Sequence, residues 1–184
     1  MPKYVAFLRA INVGGHLVKM DYLRTLFEAL GFSKVETFIA SGNVIFDSSS
    51  KKPESLEKKI EQHLLKQLGY PVETFLRTVP EVAMIAQAQP FSAKELNRDG
   101  NTLYVGFLAA VPSAASQQEL ASCANNMNDF AVIKREVFWL CRAVKFSETD
   151  FSGARLEKIL KLKTTLRNIN TAKRIAAKYS ALAP

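Results

Sequence analysis

Tyr4 to Leu8 (YVAFL) is an unbroken apolar run rich in β-formers, and it predicts a buried strand. Asn12 to Gly15 (NVGG) predicts a loop, because two adjacent glycines sit poorly inside a strand or a helix. Met20, Leu23, Leu26, Phe27 and Leu30 then recur at helical spacing, with Gly31 as the stop. Val35 to Ala40 and Val44 to Phe46 predict two strands, joined at the turn signal Ser41-Gly42-Asn43 into a β-hairpin. Pro53 opens a second helix at the favoured first position, with Leu56, Ile60, Leu64 and Leu68 on one face and Gly69 at its end. A fourth strand is expected over Val72 to Thr78. The resulting order, β-α-β-β-α-β, is the ferredoxin-like split arrangement.

The pattern restarts after the polar turn Asn97-Arg98-Asp99-Gly100-Asn101. Tyr104 to Ala110 (YVGFLAA) echoes Tyr4 to Ala10 (YVAFLRA), and a helix over about 113–123 and strands over about 130–134 and 137–141 follow in the same order. The fold class expected is therefore α+β, with two ferredoxin-like (βαββ-type) subdomains related by an internal duplication. The second half is expected to end in a basic C-terminal helix rather than a fourth strand, with Ile169, Ala172, Ile175, Ala176 and Tyr179 on its buried face. The halves would span 1–79 and 101–184, bridged over 80–100 by a short helix from Pro80 and a turn. A length of 184 residues suits one large domain or two small related ones.

Topology then places candidate chemistry. The two strands of a βαβ unit run parallel, so the loops leaving their C-terminal ends share one edge of the sheet. Arg9, Asn12, Gly14 and Gly15 from the first loop would meet Ser41, Gly42 and Asn43 from the second. Glycines let a ligand approach backbone N–H groups, a helix N-terminus adds partial positive charge, and Arg9 offers a bidentate fork to phosphate or carboxylate. The same glycines suit tight turns, and the asparagines suit backbone capping. Neither a P-loop nor a GxGxxG fingerprint is present. Further along, Thr165 or Asn168 is a candidate N-cap for the last helix, which would set Arg167 against the helix dipole.

Composition narrows the partner. The chain carries 25 Lys and Arg against 17 acids, a net charge of +8. Between Arg155 and Lys178 stand Arg155, Lys158, Lys161, Lys163, Arg167, Lys173, Arg174 and Lys178 with one acid, Glu157. A clustered basic stripe suits an anionic small molecule or nucleic acid, and also suits a solvated helix face. No stretch reaches the ~20 apolar residues of a membrane span. The N-terminal apolar run is too short for a signal-peptide core, and two cysteines make no disulfide scaffold, so a cytoplasmic protein is expected. No Cys, His or acid cluster has metal-ligand spacing, so neither metal nor cofactor is expected.

The motifs RAINVGG (9–15), Met20, Leu23, Gly31, SGNVIF (41–46) and TLRNINT (165–171) give the chain a family likeness. It resembles a bacterial family of uncharacterised cytoplasmic proteins, domain of unknown function 1697, over almost its whole length. The resemblance implies a two-subdomain α+β fold. It points to Arg9, Asn12, Gly14, Gly15, Ser41, Gly42, Asn43, Thr165, Arg167, Asn168 and Thr171 as site residues. The chain departs from the family pattern at Ala10, where glycine is usual, and at Gln89, where asparagine is commoner. No activity comes with the resemblance. Two functions remain open: a binding module for phosphate-containing ligands or nucleic-acid backbone at the edge formed by the 9–15 and 41–43 loops and the 165–171 motif, and an enzyme acting on a small anionic substrate at the same edge. For the enzyme, Ser41 or His16 would be the reacting group and Arg9, Arg167 and Asn43 the clamp.

Overall fold

The N-terminal apolar run is a strand, β1 (Lys3–Leu8), at the inside of a four-stranded antiparallel sheet. A computed structural model describes residues 1–12, 15–142 and 148–180 of the chain. After β1 come α1 (Met20–Glu28), β2 (Ser33–Thr37), β3 (Asn43–Asp47), α2 (Pro53–Leu68) and β4 (Thr74–Thr78). The strands lie in the order β2-β3-β1-β4. Next come α3 (Val79–Gln87) and a one-turn helix, α4 (Ala93–Leu96). A second sheet follows, built from β5 (Thr102–Leu108), α5 (Ala114–Ser122), β6 (Asn128–Ile133), β7 (Glu136–Cys141), α6 (Gly153–Leu160) and β8 (Thr164–Asn168), in the order β6-β7-β5-β8. The described residues end in α7 (Ile169–Ser180). The fold is mixed α+β, with two four-stranded antiparallel sheets and seven helices among the described residues.

The chain divides into two compact units, one of Met1–Ala83 with the residues from Ile175 onward, the other of Met84–Arg174. In the first, Leu23, Leu26 and Phe27 of α1 and Leu56, Ile60 and Leu64 of α2 cover the sheet face that presents Tyr4, Ala6, Leu8, Val44, Phe46 and Leu76. Phe27, Phe32 and Phe46 pack as a ring cluster, with the Phe32 and Phe46 centroids 4.3 Å apart. Each such ring withdrawn from water contributes about 1.5–3 kcal/mol. In the second unit Leu120, Leu156, Ile159 and Leu160 do the same over Leu108, Val137 and Trp139.

The two sheets share a register. In the first, Tyr4 stands opposite Thr78, Val5 opposite Arg77 and Leu8 opposite Thr74; in the second, Tyr104 stands opposite Asn168, Val105 opposite Arg167 and Leu108 opposite Thr164. The Tyr4–Phe46 and Tyr104–Trp139 rings, at matching cross-strand positions, are both 5.9 Å apart. One edge strand of each sheet, β4 and β8, is guarded alike. Leu76 and Thr74 of β4 donate their N–H groups to Glu57 and Glu61 of α2, and Thr164 of β8 donates to Glu157 of α6. Carboxylates so placed occupy donors that would otherwise invite another strand.

The fourth strand of the second half corrects the expectation of a direct run into the last helix. Residues 164–168 pair with β5, and the helix starts only at Ile169. The segment TTLRN is mostly polar and lacks the apolar alternation that marks a strand, because its threonines and arginine are buried through hydrogen bonds rather than through hydrophobicity. The basic stripe is likewise redistributed. Its eight cations are divided among α6, the turn after it, β8 and α7, Arg167 is buried, and Lys163 and Lys178 pair with Glu157 and Glu36.

The last turns of α7 are held to β2 by Glu36, which accepts from Lys178 Nζ at 2.6 Å and from Tyr179 OH at 2.8 Å. The bond from Lys178, then that from Tyr179, holds the Glu36 carboxyl below the usual carboxylate range. A lowered folded-state value stabilises the fold above the ordinary carboxyl pKa and stops doing so as pH falls through the lowered one. The pair is half exposed, so the effect is small, about 0.5 kcal/mol. The stability difference between the parent and Glu36→Gln should thus be constant from pH 7 to 5 and shrink below about pH 4.3 in urea titrations.

Candidate functional site

In the first unit the expected loops do meet. Strands β1 and β2 both run antiparallel to β3, so their C-terminal ends share an edge. Leu8 N–H donates to the Gly42 carbonyl at 2.8 Å. Asn12 ties the loops together: its Nδ2 donates to the Ala40 carbonyl at 2.8 Å and its Oδ1 accepts from Val18 N–H at 2.7 Å. Asn43, fully buried as the first residue of β3, donates from Nδ2 to the Phe38 carbonyl and to Ser41 Oγ. The Arg9 guanidinium lies 3.2 Å from Glu73 Oε2, with both side chains about one-third exposed. Gly15 is exposed beside this loop, and Gly14 lies outside the described residues. The polar side chains of this edge thus hold the backbone and one another.

The backbone here is unusual. Ala10, Asn12 and Ile39 have φ of 61°, 58° and 52°, and Gly15 and Gly42 have 89° and 73°. A left-handed conformation costs a non-glycine residue roughly 1–2 kcal/mol, and asparagine least. Ala10→Gly is therefore expected to stabilise the protein by about 1 kcal/mol, raising the melting temperature by about 2–4 °C.

In the second unit the motif residues part company. Thr165 and Arg167 are buried in β8, where Arg167 Nη1 donates to Thr165 Oγ1 at 2.8 Å and to the Leu166 carbonyl at 2.9 Å. Burial draws the guanidinium pKa down to about 10, which leaves it charged at neutral pH. Arg167 is a strand residue, so its expected conflict with the helix dipole gives way to a cost of burial. Thr171 is buried in the first turn of α7. Asn168 stands at the N-cap, its Oδ1 accepting from Asn170 N–H at 2.9 Å, while Thr165 has no capping part.

Asn168 also lines a cleft of about 470 Å³ that lies wholly within this unit. Its walls come from the end of α3 and the residues after it (Gln87, Gln89), from α4 and the following turn (Leu96, Asn97, Asn101), from the start of β5 (Thr102, Leu103) and from the first turns of α7 (Ile169, Asn170, Lys173). Asn101 Nδ2 is taken by the Glu95 carbonyl. By contrast, the side-chain N–H donors of Gln87, Gln89, Asn97, Asn168, Asn170 and Lys173 bond to no described residue. Among the described residues no carboxylate, histidine or cysteine lines the cleft, and α7 has no acid in its first turn. A helix N-terminus carrying partial positive charge, one ammonium and a set of open donors make a region of positive potential. Of these residues only Asn168 was a candidate from sequence. The others read as turn or helix-surface residues, and the signal common to all but Lys173 is the carboxamide side chain.

Among the described residues no group of three or more His, Cys, Asp or Glu is placed to hold a metal ion, and no helix is long and apolar enough to cross a membrane. No curated protein matches the chain. Among solved structures, the conserved bacterial protein SP0830 from Streptococcus pneumoniae is similar in fold, with a TM-score of 0.71 over 98% of this chain and 99% of that one, at 21% identity. Residues 1–138 match the family described as a protein of unknown function, DUF1697, and with three quarters of its length matched the chain belongs to that family.

Proposed function

We propose that this protein is a binding module for a small anionic ligand, seated in the cleft of the second unit. The observation that carries the reading is the acid-free lining, with six side chains whose N–H donors no described residue accepts. An anion needs donors and positive potential, and an uncompensated carboxylate would repel it. Binding is favoured over catalysis because the described lining offers no acid, imidazole or thiol, and its amine, on Lys173, serves as the cation that holds the anion. A small ligand is favoured over nucleic-acid backbone because the cations of 155–178 are spread over several elements, some paired or buried. In this reading Arg9, Asn12, Gly15, Ser41, Gly42 and Asn43 shape the first unit, and Thr165, Arg167 and Thr171 support the strand and helix that carry Asn168.

We also infer that each half has the ferredoxin-like arrangement and that the halves arose by duplication. Support comes from the repeated element order, the repeated strand order, the matched registers and the equivalent buried arginines, Arg77 and Arg167.

Calorimetry with inorganic phosphate at low ionic strength tests the binding proposal. Saturable binding is expected, weakened about tenfold or more in Lys173→Ala and unchanged in Arg155→Ala, whose cation lies on α6 outside the cleft. Phosphate binding that Lys173→Ala leaves intact would overturn it.

A further inference from the structure

The cleft is richer in carboxamides than an anion alone requires. A bare phosphate offers only acceptors, so it uses N–H donors and leaves the carbonyl ends of asparagine and glutamine idle. Gln87, Gln89 and Asn97 each present a donor and an acceptor in one plane, on segments separate from the helix that carries Lys173. Planar donor–acceptor pairs match hydroxyl pairs and the edges of heterocyclic bases. Among the described residues the lining holds one cation, which suits one phosphate group rather than a di- or triphosphate chain. Leu96, Leu103 and Ile169 supply apolar wall, and the volume of about 470 Å³ falls in the range of small-molecule pockets.

Resting on the anion reading, we propose that the ligand is a phosphate monoester of a neutral, polar body, the chemistry shared by sugar phosphates and nucleoside monophosphates. Lys173 and Asn168 Nδ2 take the phosphate at the start of α7, and Gln87, Gln89 and Asn97 read the body. These three side chains are exposed and bond to no other described residue, so replacing them leaves the fold intact.

The test is calorimetry of the full chain with inorganic phosphate, ribose 5-phosphate, glucose 6-phosphate, adenosine 5′-monophosphate and uridine 5′-monophosphate, at matched ionic strength. At least one ester is expected to bind ten times more tightly than phosphate. Gln89→Ala and Asn97→Ala should erase that advantage, weakening the ester far more than inorganic phosphate, and Lys173→Ala should weaken phosphate and esters alike. A gain confined to sugar phosphates assigns the carboxamides to hydroxyls, and a gain confined to the nucleotides assigns them to a base edge. Equal affinity for phosphate and every ester, or equal losses for both in Asn97→Ala, would overturn the monoester assignment and leave the anion site standing. Failure of phosphate and all four esters to bind would overturn both.

Discussion

Gly42→Ala is expected to lower the stability of the protein by about 2–5 kcal/mol, one of the two largest effects expected in the chain. Two costs add. The residue has φ of 73°, where a side chain costs roughly 1–2 kcal/mol. A Cβ there would also stand 2.9 Å from Ile11 Cβ and 3.2 Å from Leu8 Cβ, in a buried place where overpacking costs about 1–3 kcal/mol. The obstacles are the stems of buried side chains, which cannot swing aside as the tip of a lysine would. Urea denaturation should show a lower midpoint with an unchanged slope. A midpoint within error of the parent would mean that the 9–12 and 38–43 loops yield at little cost, and that their left-handed residues are not locked by packing.

Asn128→Ala is expected to cost about 3 kcal/mol and to be felt first in the second unit. Asn128 is fully buried at the start of β6 and joins it to β7 and to the segment 149–150 of that unit. Its Oδ1 accepts from Trp139 Nε1 at 2.8 Å and from Thr149 Oγ1 at 2.6 Å, and its Nδ2 donates to Asp150 Oδ1 at 2.6 Å. Alanine would leave the buried indole N–H without its acceptor and deprive Asp150 of a donor. A buried polar group left unpaired costs about 1–3 kcal/mol. Trp139 is the only tryptophan in the chain, so its fluorescence reports this site directly. The variant should unfold at lower denaturant, with altered native emission. Asn128→Asp makes a sharper companion, since it sets a second carboxylate beside Asp150. It should be less stable than the alanine variant at neutral pH and recover as the pH falls and one carboxyl takes a proton.

The lesson about sequence and structure lies in particular residues. The runs at Tyr4–Leu8 and Tyr104–Leu108 announced two strands because continuous apolar β-formers have few other uses. The helices of the first half were legible from spacing and from Pro53. Strand β8 was not legible, since Thr164, Thr165 and Arg167 are buried polar residues and their hydrogen bonds leave no trace in a hydrophobic pattern. Gly106 shows the same limit. It holds the position that Ala6 holds in the first sheet, yet a Cβ on it would come within 2.7 Å of Val137 Cγ1 and 2.8 Å of Thr164 Oγ1. The letters differ by one methyl, and only the neighbours reveal why.

The candidate site divides in the same way. That the 9–15 and 41–43 loops would share an edge followed from strand direction alone, and they do share it. What each asparagine does there was open, because an asparagine in a loop serves a ligand or the backbone equally well. Asn12 is committed by a carbonyl 28 residues away and Asn43 by one five residues back. The cleft in the second unit was invisible for the opposite reason. Gln87, Gln89, Asn97, Asn170 and Lys173 follow no periodicity, and they come together only when α3, α4 and α7 close around the start of β5. The amino-acid sequence by itself determined most of the elements, their order and the family. Tertiary structure alone decided which polar groups are spent and which are left open, because apolar periodicity is a property of one segment, whereas the partner of a polar group arrives from another.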